Sequence, residues 1–312
     1  FTKSDILLHA LPLFHTLGLF VATNVILSAG GSMIFLPKFD LDDIVKNLPK
    51  SSAMMGVPTF YMRLLADDRF NKKLVHHIRL FVSGSAPLLS ETHIQFEKIT
   101  GHRILERYGM TETNMNTSNP YNGERRAGTV GLPLPGVELK ITDPETGREL
   151  SNNEIGQIEV RGPNVFKGYW RMPEKTKAEL RENGFFITGD LGKIDKDGYI
   201  HILGRDKDLI ISGGFNIYPK ELEEIIDDQE GVLESAVIGV SHSDFGETPI
   251  AIIVQEAEMA PNIEVIDRNL RKSLARYKHP RKMIIVDKLP RNAMGKVQKN
   301  ILRSYYKDLF LN

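Results

Sequence analysis

The feature that most constrains this chain's fold is that its hydrophobic pattern changes twice along 312 residues. Up to about residue 135, short β-branched runs at 52–57, 78–82 and 102–107 alternate with helix-like segments. Pro58 is placed to open one helix, because its missing N–H costs nothing in a first turn. Ser90 is placed to cap another helix, which ends at Gly101. Such alternation predicts a layered α/β core. From 136 to 203 the helical signal fades and turn dipeptides take over, at Asp143-Pro144, Asn183-Gly184 and Asp197-Gly198, which predicts a small β subdomain with strands near 158–161 and 199–203. After Gly204 come an acidic helix from Pro219 to about Asp228, strands near 235–240 and 250–254, and a helix near 263–277. The expected class is α/β, with a layered α/β core and small β subdomain in 1–204 followed by an α+β domain in 205–312. A chain of this length exceeds what one hydrophobic core usually organises.

Composition excludes several function classes. Lys plus Arg equals Asp plus Glu at 40 each, so no global field draws nucleic acid or an anionic membrane. The charge is uneven all the same, with eleven Lys or Arg and only Asp287 as an acid between 271 and 303. That basic tail lacks the interleaved aromatics of a base-stacking surface, which argues against nucleic acid. With no cysteine, the chain cannot form a disulfide, a thiolate metal site or an enzyme-borne thioester. Any thiol chemistry must borrow a thiol. The apolar stretch 17–36 is interrupted by Asn24, Ser28, Gly30, Gly31 and Ser32, too polar for a spanning helix. Phe1-Thr2-Lys3-Ser4-Asp5 has no targeting layout. A cytoplasmic protein is expected, and the start reads as an internal point of a longer one.

Five short motifs carry chemistry. Pro290-Arg291-Asn292-Ala293-Met294-Gly295-Lys296-Val297 puts a lysine on a Pro- and Gly-flanked loop. Gly204-Arg205-Asp206-Lys207-Asp208 precedes the Gly-rich run Ser212-Gly213-Gly214-Phe215, and Tyr108-Gly109-Met110-Thr111-Glu112-Thr113 follows a predicted strand. Ser83-Gly84-Ser85-Ala86-Pro87 joins a predicted strand to a helix, where small residues let a flat ring approach the backbone. Each has a plainer reading: a solvated basic loop, an ordinary turn, a Thr/Glu helix cap for 111–113. Together they resemble the acyl-adenylate-forming enzymes, which activate a carboxylate with ATP.

The resemblance implies roles. Ser83, Gly84, Ser85, Ala86, Pro87, Tyr108, Gly109 and Met110 would form the nucleotide-binding surface, with Tyr108 stacked on adenine. Thr111 would contact ATP phosphates and Glu112 would hold Mg²⁺, a role for hard carboxylate oxygen. Asp190 would accept from the ribose hydroxyls and Arg205 would contact the same nucleotide. Lys296 would neutralise charge developing between carboxylate and α-phosphate. Lys207 would be the hinge of a mobile carboxyl-terminal domain. Coenzyme A would supply the missing thiol through a pantetheine channel lined by Ser212, Gly213, Gly214 and Phe215.

The acid is suggested by Arg63, on the predicted helix after Pro58. An arginine entering an acyl pocket suits a second carboxylate, which a guanidinium binds bidentately. A surface helix residue paired with Asp67 is the plainer reading. Within the family, 56–63, 83–88, 106–120 and 162–170 resemble the malonyl-CoA synthetases, implying malonate as substrate, with Arg63, His15, Ser83 and Met110 at the acid. His15 lies in Leu11-Pro12-Leu13-Phe14-His15-Thr16-Leu17-Gly18 and would position rather than transfer protons. Methylmalonate or another short acid stays open, as does an inactive nucleotide- or CoA-binding fragment. The family's Gly-rich phosphate loop is not in this sequence and is expected upstream of Phe1.

Overall fold

The computed structural model describes residues 1–257, 259–292 and 295–310, so Ala293 and Met294 of the lysine motif lie outside the described residues. The chain divides into two compact units, 1–188 with 192–202, and 189–191 with 203–312.

In the first unit, β1 (Ile6–His9), β2 (Ser32–Phe35), β3 (Ala53–Gly56), β4 (Leu80–Ser83), β5 (Leu105–Tyr108), β6 (Thr117–Ser118) and β7 (Leu132–Pro133) form one sheet in the order 2-1-3-4-5-6-7. The first five are parallel and the last two antiparallel. β3 and β4 are buried at every position, as expected of continuous apolar runs in the middle of a parallel sheet. The connections carry α1 (Asn24–Ser28), α2 (Leu41–Asn47), α3 (Pro58–Leu65), α4 (Lys72–Val75) and α5 (Ser90–Thr100). Pro58 opens α3, and Gly101 closes α5 in the left-handed conformation. Ser90 does not cap α5: the capping position is Leu89, and no side chain bonds there. A wide π-helical turn, Leu17–Thr23, leads into α1.

Met54, Tyr61, Phe81 and Phe96 form the core between sheet and helices, all fully buried. Each such side chain contributes roughly 1.5–3 kcal/mol relative to exposure. The Tyr61 hydroxyl is satisfied by donating to Val82 O at 2.5 Å.

The turn-rich stretch forms a four-stranded sheet of β8 (Glu138–Thr142), β9 (Gly156–Arg161), β10 (Phe186–Ile194) and β11 (Ile200–Arg205) in the order 11-10-9-8, with α6 (Pro173–Glu179) between β9 and β10. In the second unit, β12 (Ile210–Ser212), β13 (Phe215–Ile217), β14 (Val232–His242) and β15 (Gly246–Gln255) run in the order 13-12-15-14, and β16 (Lys282–Val286) pairs with β15. With α7 (Pro219–Asp227), α8 (Ile263–Ser273) and α9 (Lys299–Tyr306), they enclose two apolar clusters, one around Val237 and Ile253, the other around Ile238 and Ile252. Neighbouring residues of each strand thus feed opposite faces, the alternation a covered sheet requires.

Candidate functional site

The carboxyl ends of β3, β4 and β5 meet where Gly56 pairs with Ser83 and Ser83 with Glu106. The loops leaving such ends form the ligand crevice of parallel sheets. After β4 the chain turns sharply, with Gly84 N bonding Gly56 O at 3.3 Å and Ser85 at φ 71°. A left-handed serine is strain that surrounding structure has to hold in place. Ser83 is fully buried, and its Oγ has no hydrogen-bond partner among the described residues. Ala86 is half-buried and Pro87 exposed.

After β5, residues 109–116 form a tight loop instead of a helix start, so the cap reading of 111–113 does not hold. Asn116 N bonds Tyr108 O at 2.9 Å, and Thr113 N bonds Met110 O at 3.2 Å. Gly109 is required there, since a Cβ would lie 1.8 Å from Asn114 O. Tyr108 is buried, and Met110 packs against the same cluster, beside Ile141 and Ile158. Thr111 is exposed and Glu112 half-buried. The Glu112 carbonyl accepts from Phe166 N at 2.8 Å, and its Oε1 lies 3.2 Å from the Tyr169 hydroxyl.

His15 is half-buried, with Nδ1 accepting from Leu17 N at 3.2 Å. Burial lowers its pKa, which favours a neutral ring. His9, which the sequence reading passed over, braces the same segment through Nε2, 3.0 Å from both Gly18 O and Thr23 Oγ1.

Arg63 lies on the exposed side of α3, its guanidinium 5.8 Å from the Phe39 ring centre. Asp67 is taken by Arg69 at 2.6 Å, so the surface pair with Arg63 is not made. The sequence reading also missed Arg107, the penultimate residue of β5. Its Nη2 reaches only Met55 Sδ, at 3.5 Å, and its Nε is shielded from water with no partner among the described residues. Burial pushes its pKa down to about 10, against a weak opposing effect of Tyr61. A Cβ at Gly84 would lie 3.7 Å from both Arg107 Cγ and Leu17 Cδ1, so this cation stands beside the turn after β4. The signal available in sequence was a cation next to Glu106 at the end of the predicted strand 102–107.

The second unit gathers the other expected residues. Asp190 on β10 is buried and pairs with Arg205 Nε at 2.7 Å. Lys207 lies exposed in the short 3₁₀ helix Asp206–Asp208. Gly213 and Gly214, at φ 55° and 83°, make the two-residue turn between β12 and β13, where Ser212 pairs with Phe215. Positive φ at both positions is the hairpin geometry that favours glycine. Phe215 stacks on Tyr277 with ring centres 4.7 Å apart.

Lys296 is carried by a small hairpin loop. Arg291 bridges Val297, Asn292 N bonds Lys296 O at 3.0 Å, and Lys296 N bonds Asn292 Oδ1 at 3.0 Å. The Arg291 guanidinium ties this loop to Gly295 O and to Glu234 on β14. Lys296 is open to solvent, yet protein around its ammonium lowers the pKa, with Arg205 adding to the effect and Asp190 and Asp208 opposing it. Lys296 therefore shares a neighbourhood with the Asp190–Arg205 pair.

Comparison with known proteins follows the same division. The AMP-binding enzyme family matches residues 1–170, and the AMP-binding enzyme C-terminal domain matches 221–296. The chain belongs to the AMP-binding enzyme family. Within the family, a malonate–CoA ligase of Arabidopsis thaliana is 40% identical over 97% of this chain and 54% of that protein. A long-chain-fatty-acid–CoA ligase of Bacillus subtilis is 38% identical over 93% of this chain and 52% of that protein. The crystal structure of ATP-bound MatB from Rhodopseudomonas palustris is 61% identical with a TM-score of 0.97, over 99% of this chain and 62% of that one. The chain spans about half the length of the curated relatives it matches.

Proposed function

We propose that this chain is the malonate-activating and thioester-forming portion of an ATP-dependent malonate–CoA ligase. One malonate carboxylate oxygen attacks the α-phosphorus of ATP, forming malonyl-adenylate and releasing pyrophosphate. The sulfur of coenzyme A then attacks the acyl carbon, releasing AMP. The chain has no cysteine to carry the acyl group itself.

The observation that carries the choice of acid is Arg107, half-buried with its Nε shielded from water and without an acid partner among the described residues, beside the turn after β4. A buried charge is costly unless something pairs with it. Malonate's second carboxylate is such a partner, with Ser83 Oγ as a further donor and Arg63 as a second cation. His15 and Met110 would shape the same pocket. The relatives named for malonate support this reading.

Residues 84–87 and Tyr108 to Met110 would receive the nucleotide, Asp190 its ribose and Arg205 the same ligand. Thr111 would bond phosphate oxygen. No group of three or more His, Cys, Asp or Glu able to hold a metal occurs among the described residues, which fits a Mg²⁺ ion carried in by phosphates and met by the single carboxylate of Glu112. When bound, that ion would neutralise phosphate charge. The Lys296 ammonium would stabilise charge building up during attack. Rotation at Lys207 would then withdraw Lys296 and bring Ser212, Gly213, Gly214 and Phe215 to the adenylate for pantetheine.

The test compares kcat/KM for malonate, methylmalonate and butyrate in the full-length protein carrying this sequence. Arg107→Leu is expected to cost malonate about tenfold to a hundredfold, from the roughly 1.5–3 kcal/mol of a hydrogen bond to a charged group, and butyrate little. Equal loss for both acids would refute the dicarboxylate assignment.

A further inference from the structure

The segment after β9 meets the loop carrying Glu112 at three successive points, bonding its backbone at the first two. Asn164 Nδ2 donates to Thr113 O at 2.7 Å and to Met115 O at 3.1 Å. Phe166 N donates to Glu112 O at 2.8 Å. The Tyr169 hydroxyl lies 3.2 Å from Glu112 Oε1 and 2.5 Å from Glu179 Oε2. Tyr169 itself is fixed, its N–H bonding Thr176 Oγ1 at 2.9 Å and its ring edge meeting Phe166 with centres 4.8 Å apart.

A phenol has one proton, so two carboxylates cannot both receive it. The shorter contact gives it to Glu179. Lys175 Nζ, 2.8 Å from Glu179 Oε1 and 4.5 Å from the Tyr169 ring centre, balances that carboxylate. Glu112 consequently faces the phenol oxygen instead of its proton. No ion pair to Glu112 occurs among the described residues.

We propose that Tyr169 and Glu179 are positioning residues for Glu112: Glu179 retains the phenol's proton, so that Glu112 stays an unneutralised carboxylate held ready for a divalent cation arriving with phosphate oxygens. This rests on the reading of Glu112 as the metal-facing residue. Tyr169 and Glu179 act only through Glu112, as the outer partners of ligating carboxylates do.

Two measurements test it. In the full-length protein, Glu179→Gln weakens the competing acceptor and passes the phenol's proton to Glu112. The Mg²⁺ concentration giving half-maximal pyrophosphate release is then expected to rise about tenfold. In a Tyr169→Phe background there is no proton to pass, so Glu179→Gln should add nothing; an equal penalty in both backgrounds would mean that Glu179 merely supports α6, and overturns the proposal. The second measurement needs neither metal nor turnover. In the near-ultraviolet difference spectrum of this chain at neutral pH, wild type minus Tyr169→Phe, the Tyr169 band reports the partner of its hydroxyl, which lies 2.5 Å from Glu179 Oε2 and 3.2 Å from Glu112 Oε1. Glu179→Gln should shift that band. An unshifted band overturns the proton assignment. If Glu112→Gln leaves the Mg²⁺ dependence unchanged, the reading of Glu112 fails, and this proposal with it, whatever the spectrum gives.

Discussion

Lys296 and Arg107 illustrate how position sets the use of a cation. Arg107, half-buried with its Nε shielded, has no acid partner among the described residues, which suits a ligand's charge, whereas Lys296 sits on an exposed loop among charges of both signs. The reactive form of Lys296 is the ammonium, and surrounding protein lowers its pKa. Adenylate formation should therefore decline on the alkaline side earlier than an ordinary lysine, with a pKa of about 10.4, would cause. Lys296→Arg, which keeps its proton throughout, should remove that decline even if the overall rate is reduced. Rates of pyrophosphate release against pH in the full-length protein test this; an unchanged alkaline limb in Lys296→Arg would show that another group sets it.

At the scale of elements, the packing of α7 on β14 stores a pH dependence unrelated to the site. Asp227, the last residue of α7, has its Oδ1 shielded from water without a hydrogen bond among the described residues. Burial, with a smaller push from Glu223, raises its pKa to about 8, against the pull of Ser235 and Lys299. In the unfolded chain the carboxyl has a pKa of about 3.9. Between those values the unfolded state binds fewer protons, so stability falls as pH rises, and the cost is complete above about pH 8. Asp227→Asn should match wild type at pH 4 and exceed it by about 1–3 kcal/mol at pH 9 in urea denaturation. A constant difference across that range would mean that Asp227 is already neutral or solvated throughout.

For the whole molecule, the second unit carries apolar clusters on both faces of its sheet, each made only of residues after 209. We expect residues 205–312, expressed alone, to unfold in one cooperative transition followed by circular dichroism and urea. A gradual, non-cooperative loss of signal would mean that this unit depends on the rest of the chain. Among the described residues no helix is long and apolar enough to cross a membrane.

The sequence by itself determined what depends on a few neighbouring residues. The mostly apolar runs at 52–57 and 78–82 gave β3 and β4, Pro58 and Gly101 marked one helix start and one helix end, and turn dipeptides announced the sheet of β8 to β11. The motifs placed the 83–87 turn, the 108–113 loop and the Lys296 loop, because close approach and left-handed backbone restrict residue type locally. Tertiary structure alone decided who stands beside whom. It left Ser90 without a capping bond, gave Asp67 to Arg69, and joined Asp190 to Arg205 from two strands. Among the described residues it left Arg107 without an acid partner, and it brought Tyr169 to Glu112 across 57 residues of chain. Those outcomes depend on strand register and on which charges are removed from water together, and neither is encoded within any single turn or strand.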